Sequence, residues 1–227
     1  GTTWQEMNET TLQDWYDEVE RSFIELQSKC DRVFVAGFSM GGSLALRLCQ
    51  IRGSEVEGLI LLNPSIHDRR FILKLTPILK YFIPSIKKGA TDIAAPNPPK
   101  HSYGRTPLKA LDSLRKLWQL AERDLYLIDL PVMVAYSIND HAVDPENSMT
   151  VIDNIFSVDI REVVFENSYH NVPLDYDADL LNTESKLFIE DVLSGSLQRG
   201  ADFKETDLVD AEFDSIISGL SLDQSAP

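Results

Sequence analysis

Apolar positions along this chain follow two rhythms. Between Leu12 and Ser28, the residues Trp15, Val19, Phe23 and Leu26 recur at helical spacing, which predicts an amphipathic helix. Four other stretches are short and largely apolar without clean alternation: Arg32 to Gly37, Gly58 to Pro64, Pro131 to Tyr136 and Ile160 to Phe165. The first ends at a glycine and the second at Asn63-Pro64, so they read as strands buried on both faces. Helices are predicted over Ser43 to Ile51, Pro145 to Phe156 and Leu180 to Leu193, with Asp144 as N-cap and Pro145 at the first helical position of the second. Helical patches near 71–83 and 107–128 are joined by Ala94-Ala95-Pro96-Asn97-Pro98-Pro99, a loop by composition. No internal repeat is evident. Strand and helix alternate, which predicts an α/β fold with a mostly parallel sheet.

In such sheets reactive groups collect where strands end. After the first strand stands Gly37-Phe38-Ser39-Met40-Gly41-Gly42, a G-x-S-x-G between a strand and a helix. That turn lifts the Ser39 hydroxyl off the sheet and presents the Met40 backbone N–H to a developing oxyanion. Its sharpness calls for small residues on either side, at Gly37 and Gly41. A serine hydroxyl needs a base, and the base needs an orienting acid. The third strand is followed by Ser137-Ile138-Asn139-Asp140-His141-Ala142-Val143-Asp144-Pro145. Asp144 is accounted for as a helix cap, whereas Asp140 has no such local duty and is the candidate acid. The fourth strand is followed by Glu166-Asn167-Ser168-Tyr169-His170-Asn171, and His170 is the candidate base. His141 adjoins the acid too closely to bridge it to a serine on another strand. Behind a G-x-S-x-G turn the partners follow in the order serine, acid, histidine; His67 follows the second strand, ahead of the acid, and His101 lies in the proline-rich loop.

The segments VFVAGFSMGGSLAL (33–46), YGRTPLKAL (103–111), SINDHAVDPENS (137–148) and ENSYHNVPLDYD (166–177) resemble the bacterial carboxylesterase and monoacylglycerol lipase group of α/β hydrolases. The likeness runs from about Thr3 to Leu193. It implies ester hydrolysis through an acyl-serine, with a small-molecule ester or lipid as substrate and no metal or organic cofactor. It also implies a core over 1–64 and 130–193, a small cap over 65–129 whose apolar surface lines an acyl site, and an acidic tail over 194–227. Asn171-Val172-Pro173 departs from the small apolar residues that more often follow the histidine in this family. The same triad serves thioesterases, acyltransferases and peptidases, and a non-catalytic binding protein on this scaffold would show a broken one. The family places further strands ahead of the nucleophile strand. Here the residues before Gly37 are mostly one helix, and the chain opens on Gly1 rather than Met. The expectation is therefore a C-terminal portion of a longer hydrolase, with the loop bearing the second oxyanion donor upstream.

Composition adds charge to this picture. The chain of 227 residues carries 36 acidic and 21 basic side chains, a net charge of −15, which disfavours nucleic acid as a partner. No apolar run is long enough to cross a membrane and no secretory leader is visible, which fits a cytoplasmic protein. Cys30 and Cys49 show no disulfide or metal spacing and are expected to pack as small hydrophobes, in keeping with a reducing compartment. The charge is uneven. From Gly200 to Pro227 seven acids face the single Lys204, and the stretch reads as a mobile tail with a transient helix near Leu208 to Leu220. From Ser65 to Lys88 six basic side chains face the single Asp68 and alternate with apolar residues. Such a stretch can attract an anionic substrate or surface. Tail and basic segment are expected to attract one another, and exposed charges are screened beyond about 10 Å at 0.1 M salt. Deleting 200–227 is expected to flatten the salt dependence of ester turnover; steady-state kinetics over a salt series checks this.

Overall fold

The computed structural model describes residues 3–200 apart from 69, 71, 72, 74, 88, 90, 97 and 99–102. The chain opens with two helices, α1 (Trp4–Asn8) and α2 (Leu12–Gln27). Each starts on a threonine capping box, Thr3 with Glu6 and Thr11 with Asp14. There follow β1 (Phe34–Phe38), α3 (Met40–Arg52), β2 (Gly58–Leu62), α4 (Thr76–Leu79), β3 (Ser85–Lys87), β4 (Arg105–Pro107) and α5 (Leu108–Arg123). The last elements are β5 (Val132–Ser137), α6 (Glu146–Asn154), β6 (Ile160–Phe165) and α7 (Ala178–Ser194).

Strands β1, β2, β5 and β6 form one parallel sheet in that order. Phe34 pairs with Gly58, Leu59 with Val132 and Val132 with Ile160. Successive residues of a strand face opposite ways, so β2 and β5 each feed two cores. Leu59, Leu61, Val132 and Val134 join buried side chains of α2, α3, α5 and α6 on one face. Ile60, Leu62, Met133 and Ala135 join Phe188 and Val192 of α7 on the other. Every residue of β2 and β5 is buried, whereas β1 at the edge is only partly so. The predicted two-faced parallel sheet is thus present.

Several expectations shift. Helix α3 begins at Met40, directly on the serine turn, rather than at Ser43. Pro145 holds the cap position of α6, yet the Glu146 N–H still donates to Asp144 Oδ1 at 3.0 Å, so the capping side chain acts from one residue earlier. Residues 85–87 and 105–107 pair as an antiparallel ribbon that no periodicity announced. Each strand is three residues long and its partner is some twenty positions away, too little for a local pattern. Among the described residues of the basic segment, Ile78, Tyr81 and Phe82 are exposed. Cys49 is buried as expected, but Cys30 is exposed. It lies past the end of α2 in the surface turn into β1, its N–H donating to Leu26 O at 2.9 Å. Residues 195–200, which the sequence assigns to the tail, lie on the core. Arg199 pairs with Asp129 and donates to the carbonyls of Gly53 and Val56 at 2.6 and 2.9 Å. The Gly200 N–H donates to Asp129 O at 3.1 Å. Residues 201–227, and with them the predicted transient helix, lie outside the described residues.

The serine helix is anchored from within. Arg47 of α3 is wholly buried, and its Nη1 donates to Asp124 Oδ2 at 2.7 Å just past α5. Burial pushes the guanidinium pKa down from its usual value, and the Asp124 charge and hydrogen bond oppose that shift. The Asp124 carboxylate also takes the Arg123 Nε–H at 2.7 Å. Removing one partner of such a pair strands the other charge. Asp124→Ala is expected to cost about 3–5 kcal/mol of stability, read as a lower urea midpoint with unchanged slope.

Candidate active site

A parallel sheet collects its strand ends along one edge, and the loops that leave there carry residues 39, 63, 137–141 and 166–171. Ser39 sits directly after β1 at φ 54°, ψ −121°, a backbone state that residues other than glycine rarely adopt. The state is held by main-chain bonds on both sides. Ser39 N–H donates to Leu62 O at 3.0 Å, and Ser39 O accepts from the N–H groups of Gly42 and Ser65 at 2.9 and 3.1 Å. A Cβ at Gly37 would lie 2.4 Å from Gly41 O and 2.7 Å from Ala45 Cβ. A Cβ at Gly42 would lie 2.9 Å from Pro64, whereas one at Gly41 would meet nothing within 4 Å. The contacts therefore demand glycine at 37 and 42 and leave Gly41 free, which corrects the sequence expectation for the second position.

The structure brings Ser39, His170 and Asp140 together. His170 Nε2 is 3.0 Å from Ser39 Oγ, and His170 Nδ1 is 2.6 Å from Asp140 Oδ2. A carboxylate only accepts, so Nδ1 carries the proton and Nε2 is left to accept from the serine. The Asp140 side chain is 1% exposed and that of His170 is 14% exposed, with the Phe38 ring 4.8 Å from the imidazole. Asp140 does have a local duty after all. Its Oδ1 takes the N–H groups of Ala142 and Val143, both at 2.8 Å, which fixes the carboxylate and leaves Oδ2 for the histidine. Met40, whose N–H is the candidate oxyanion donor, is the first residue of α3, where backbone N–H groups have no acceptor within the helix. His67 takes another course, its ring 3.5 Å from Glu122. His141 turns to Asp92 at 2.9 Å, and His101 lies outside the described residues.

Four residues that sequence reasoning passed over hold the histidine loop. Asn63, at φ 41°, donates through Nδ2 to His170 O at 2.6 Å and accepts the Ser137 N–H at 2.8 Å. Ser137 Oγ donates to Ser168 O. Asp92 Oδ2 accepts the N–H groups of His141 and His170 at 2.9 and 3.2 Å. Asp175 accepts the N–H groups of Ala94, Ala95 and Tyr169 at 2.7, 2.9 and 3.0 Å. Burial works against the charge of Asp92, but hydrogen bonds from the His141 N–H and ring and from the His170 N–H outweigh it and hold its pKa below the ordinary carboxylate value. The one signal in the sequence was Asn63 itself, an asparagine before proline at a strand end, since asparagine tolerates positive φ. A cavity of about 490 Å³ is lined by Asp140 and by other polar groups including His67, Asp68, Arg70 and Asn147. Ser39 and His170 do not line it.

A strained serine at the head of a helix, facing a histidine and an aspartate from later strand ends of a parallel sheet, defines an α/β hydrolase. Residues 5–177 match the family described as serine aminopeptidase, S33, and the chain belongs to that family, as a hydrolase of the lipase and esterase type. It is 30% identical over 190 residues to a thermostable monoacylglycerol lipase of Bacillus sp. (strain H-257), covering 83% of this chain and 74% of that protein. It is 21% identical to a carboxylesterase of Bacillus subtilis (strain 168), covering 84% and 77%. A solved structure from work on LipS and LipT, two metagenome-derived lipolytic enzymes, superimposes with a TM-score of 0.81 at 28% identity, covering 84% of this chain and 78% of that one. Among the described residues no helix is long and apolar enough to cross a membrane.

The glycine contacts are directly testable. Overpacking of this kind costs about 1–3 kcal/mol, so Gly37→Ala and Gly42→Ala are expected to lower the melting temperature by several degrees. Gly41→Ala is expected to leave it unchanged or slightly raised, as measured by thermal denaturation.

Proposed function

We propose that this chain cleaves carboxylic esters, medium-chain esters or monoacylglycerols, through an acyl-serine intermediate. The hydrogen-bonded run from Ser39 Oγ through His170 to Asp140 Oδ2 carries the reading. Ser39 Oγ attacks the ester carbonyl while His170 Nε2 takes the hydroxyl proton. Asp140 holds the imidazolium that forms, and the Met40 N–H at the head of α3 donates to the tetrahedral oxyanion. As the carbon–oxygen bond to the alcohol breaks, His170 returns its proton to the leaving oxygen. A water then attacks the acyl-serine with His170 again as base, releasing the acid and restoring Ser39. Residues 65–129 act as the cap over this site, seated on the core through α5, whose Leu117, Leu120 and Ala121 pack into the larger hydrophobic cluster. The similarity to a monoacylglycerol lipase supports an acylglycerol substrate.

The family's description favours a second reading, in which the same acyl transfer opens an amide at a peptide N-terminus. p-Nitrophenyl esters of graded acyl length, monoacylglycerols and aminoacyl p-nitroanilides separate the two. Turnover is expected on the esters, and activity confined to the anilides would replace the ester reading. Ser39→Ala is expected to lower kcat by about 10⁶-fold and to abolish labelling by a fluorophosphonate, while Asp140→Asn lowers kcat by about 10⁴-fold. Labelling that persists in Ser39→Ala would refute the assigned nucleophile.

A further inference from the structure

Asp92 stands outside the triad yet touches both of its loops. Those two loops are joined at their bases by strand-end bonds, Ile138 N–H to Phe165 O at 3.2 Å and Asn139 Nδ2 to Glu166 O at 2.8 Å. At their tips the His170–Asp140 bond and the edge-on contact of the His141 and Tyr169 rings, 4.6 Å between centroids, are joined by a carboxylate from a third segment. Asp92 Oδ2 accepts the N–H of His141, which adjoins Asp140, and the N–H of His170 itself. Its Oδ1 lies 2.9 Å from His141 Nδ1, and its own carbonyl takes the Asn171 N–H at 3.1 Å. Two and three residues on, the same segment is tied down again, where Ala94 and Ala95 donate to Asp175 and Tyr169 donates to that same carboxylate. Residues 92–95 form a strap from the 65–129 segment across the two loops that carry the acid and the base. The bonds of the strap to residues 140–141 and 169–171 run through main-chain N–H groups, with the His141 ring the one loop side chain among them, so most of its grip depends on position.

Resting on the triad reading above, we propose that Asp92 is a positioning residue that couples the seating of the cap to the alignment of Asp140 with His170. With the strap down, one oxygen fixes the spacing of the two loop tips, and the His170–Asp140 contact is 2.6 Å. With the strap lifted, both N–H groups lose their acceptor and its restraint on the spacing of the tips is gone. A displacement of about 1 Å at reacting groups costs on the order of 10²-fold in rate. The cap thus does more than cover the site, because its departure disarms the base.

The test uses the full chain and begins with fluorophosphonate labelling of the wild type and Ser39→Ala. Equal labelling of the two defeats the triad reading itself, whatever Asp92 does. Given a labelled Ser39, kcat per titrated site and KM are measured on p-nitrophenyl butyrate, and the downfield proton resonance of His170 Nδ1–H is recorded. Asp92→Ala is expected to lower kcat by about 30-fold or more with KM within about twofold, and to lose the downfield resonance. Asp92→Asn keeps an oxygen for the two N–H groups and presents an amide N–H to the His141 ring. It is expected to restore kcat to within about threefold and to keep the resonance. If Asp92→Ala gives no cooperative melt, Asp92→Ser takes its place under the same thresholds. A kcat per site within about threefold of wild type, a loss carried by KM alone, or a retained resonance beside a fallen kcat overturns the proposal.

Discussion

Three strand spacings, about 14 Å, separate the edge strands of a four-stranded sheet, far more than a histidine side chain can reach. Ser39 ends one edge strand and residues 166–170 follow the other. The histidine loop must therefore run back along the carboxyl edge, over the ends of β5 and β2, before its ring can meet the serine. That return path sets the rest of the site. Ser137 at the end of β5 and Asn63 at the end of β2 catch the carbonyls of Ser168 and His170 as the loop passes. Asn63 itself turns to positive φ there. Pro64, next along, closes on Gly42 and seats the serine turn. The histidine and the serine turn are thus braced by neighbouring residues of one strand end.

The parts of this arrangement that were legible in the sequence are those whose signal is local. Ser39, Asp140 and His170 each follow an apolar run within a few residues, and punctuation by glycine, asparagine and aspartate marks the loops. The bracing residues act across 74 to 107 positions for Asn63 and 78 for Asp92 toward His170, and no window of sequence holds both partners. Gly41 and Gly42 look alike on paper. Only the approach of Pro64, from the end of another strand, decides which one must lack a side chain. The sequence offers Asp140 no local duty, yet its Oδ1 takes the N–H groups of Ala142 and Val143. What distinguishes it from Asp144 is placement, since its second oxygen faces the imidazole at 2.6 Å.

The acidic balance of the chain also takes on a different meaning. Asp92, Asp140, Asp175 and Asp177 all accept backbone N–H groups in or beside the loops of the site, and Asp177 ties Asn167 as Asp175 ties Tyr169. These carboxylates stand in for the regular ladder that irregular loops lack, satisfying main-chain donors that burial would otherwise leave costly. Part of the negative charge is therefore structural cement at the site rather than a solvated coat.

The docking of Arg199 and Gly200 has a practical side. Their partners, Gly53, Val56 and Asp129, all precede strands, so residue 200 lies at the amino end of the sheet. Strands of five or six residues place that point roughly 20 Å from the edge where Ser39 stands. A molecule immobilised through a linkage placed just after residue 200 would be held by its base, with the mouth of the site turned away from the support and open to substrate from solution.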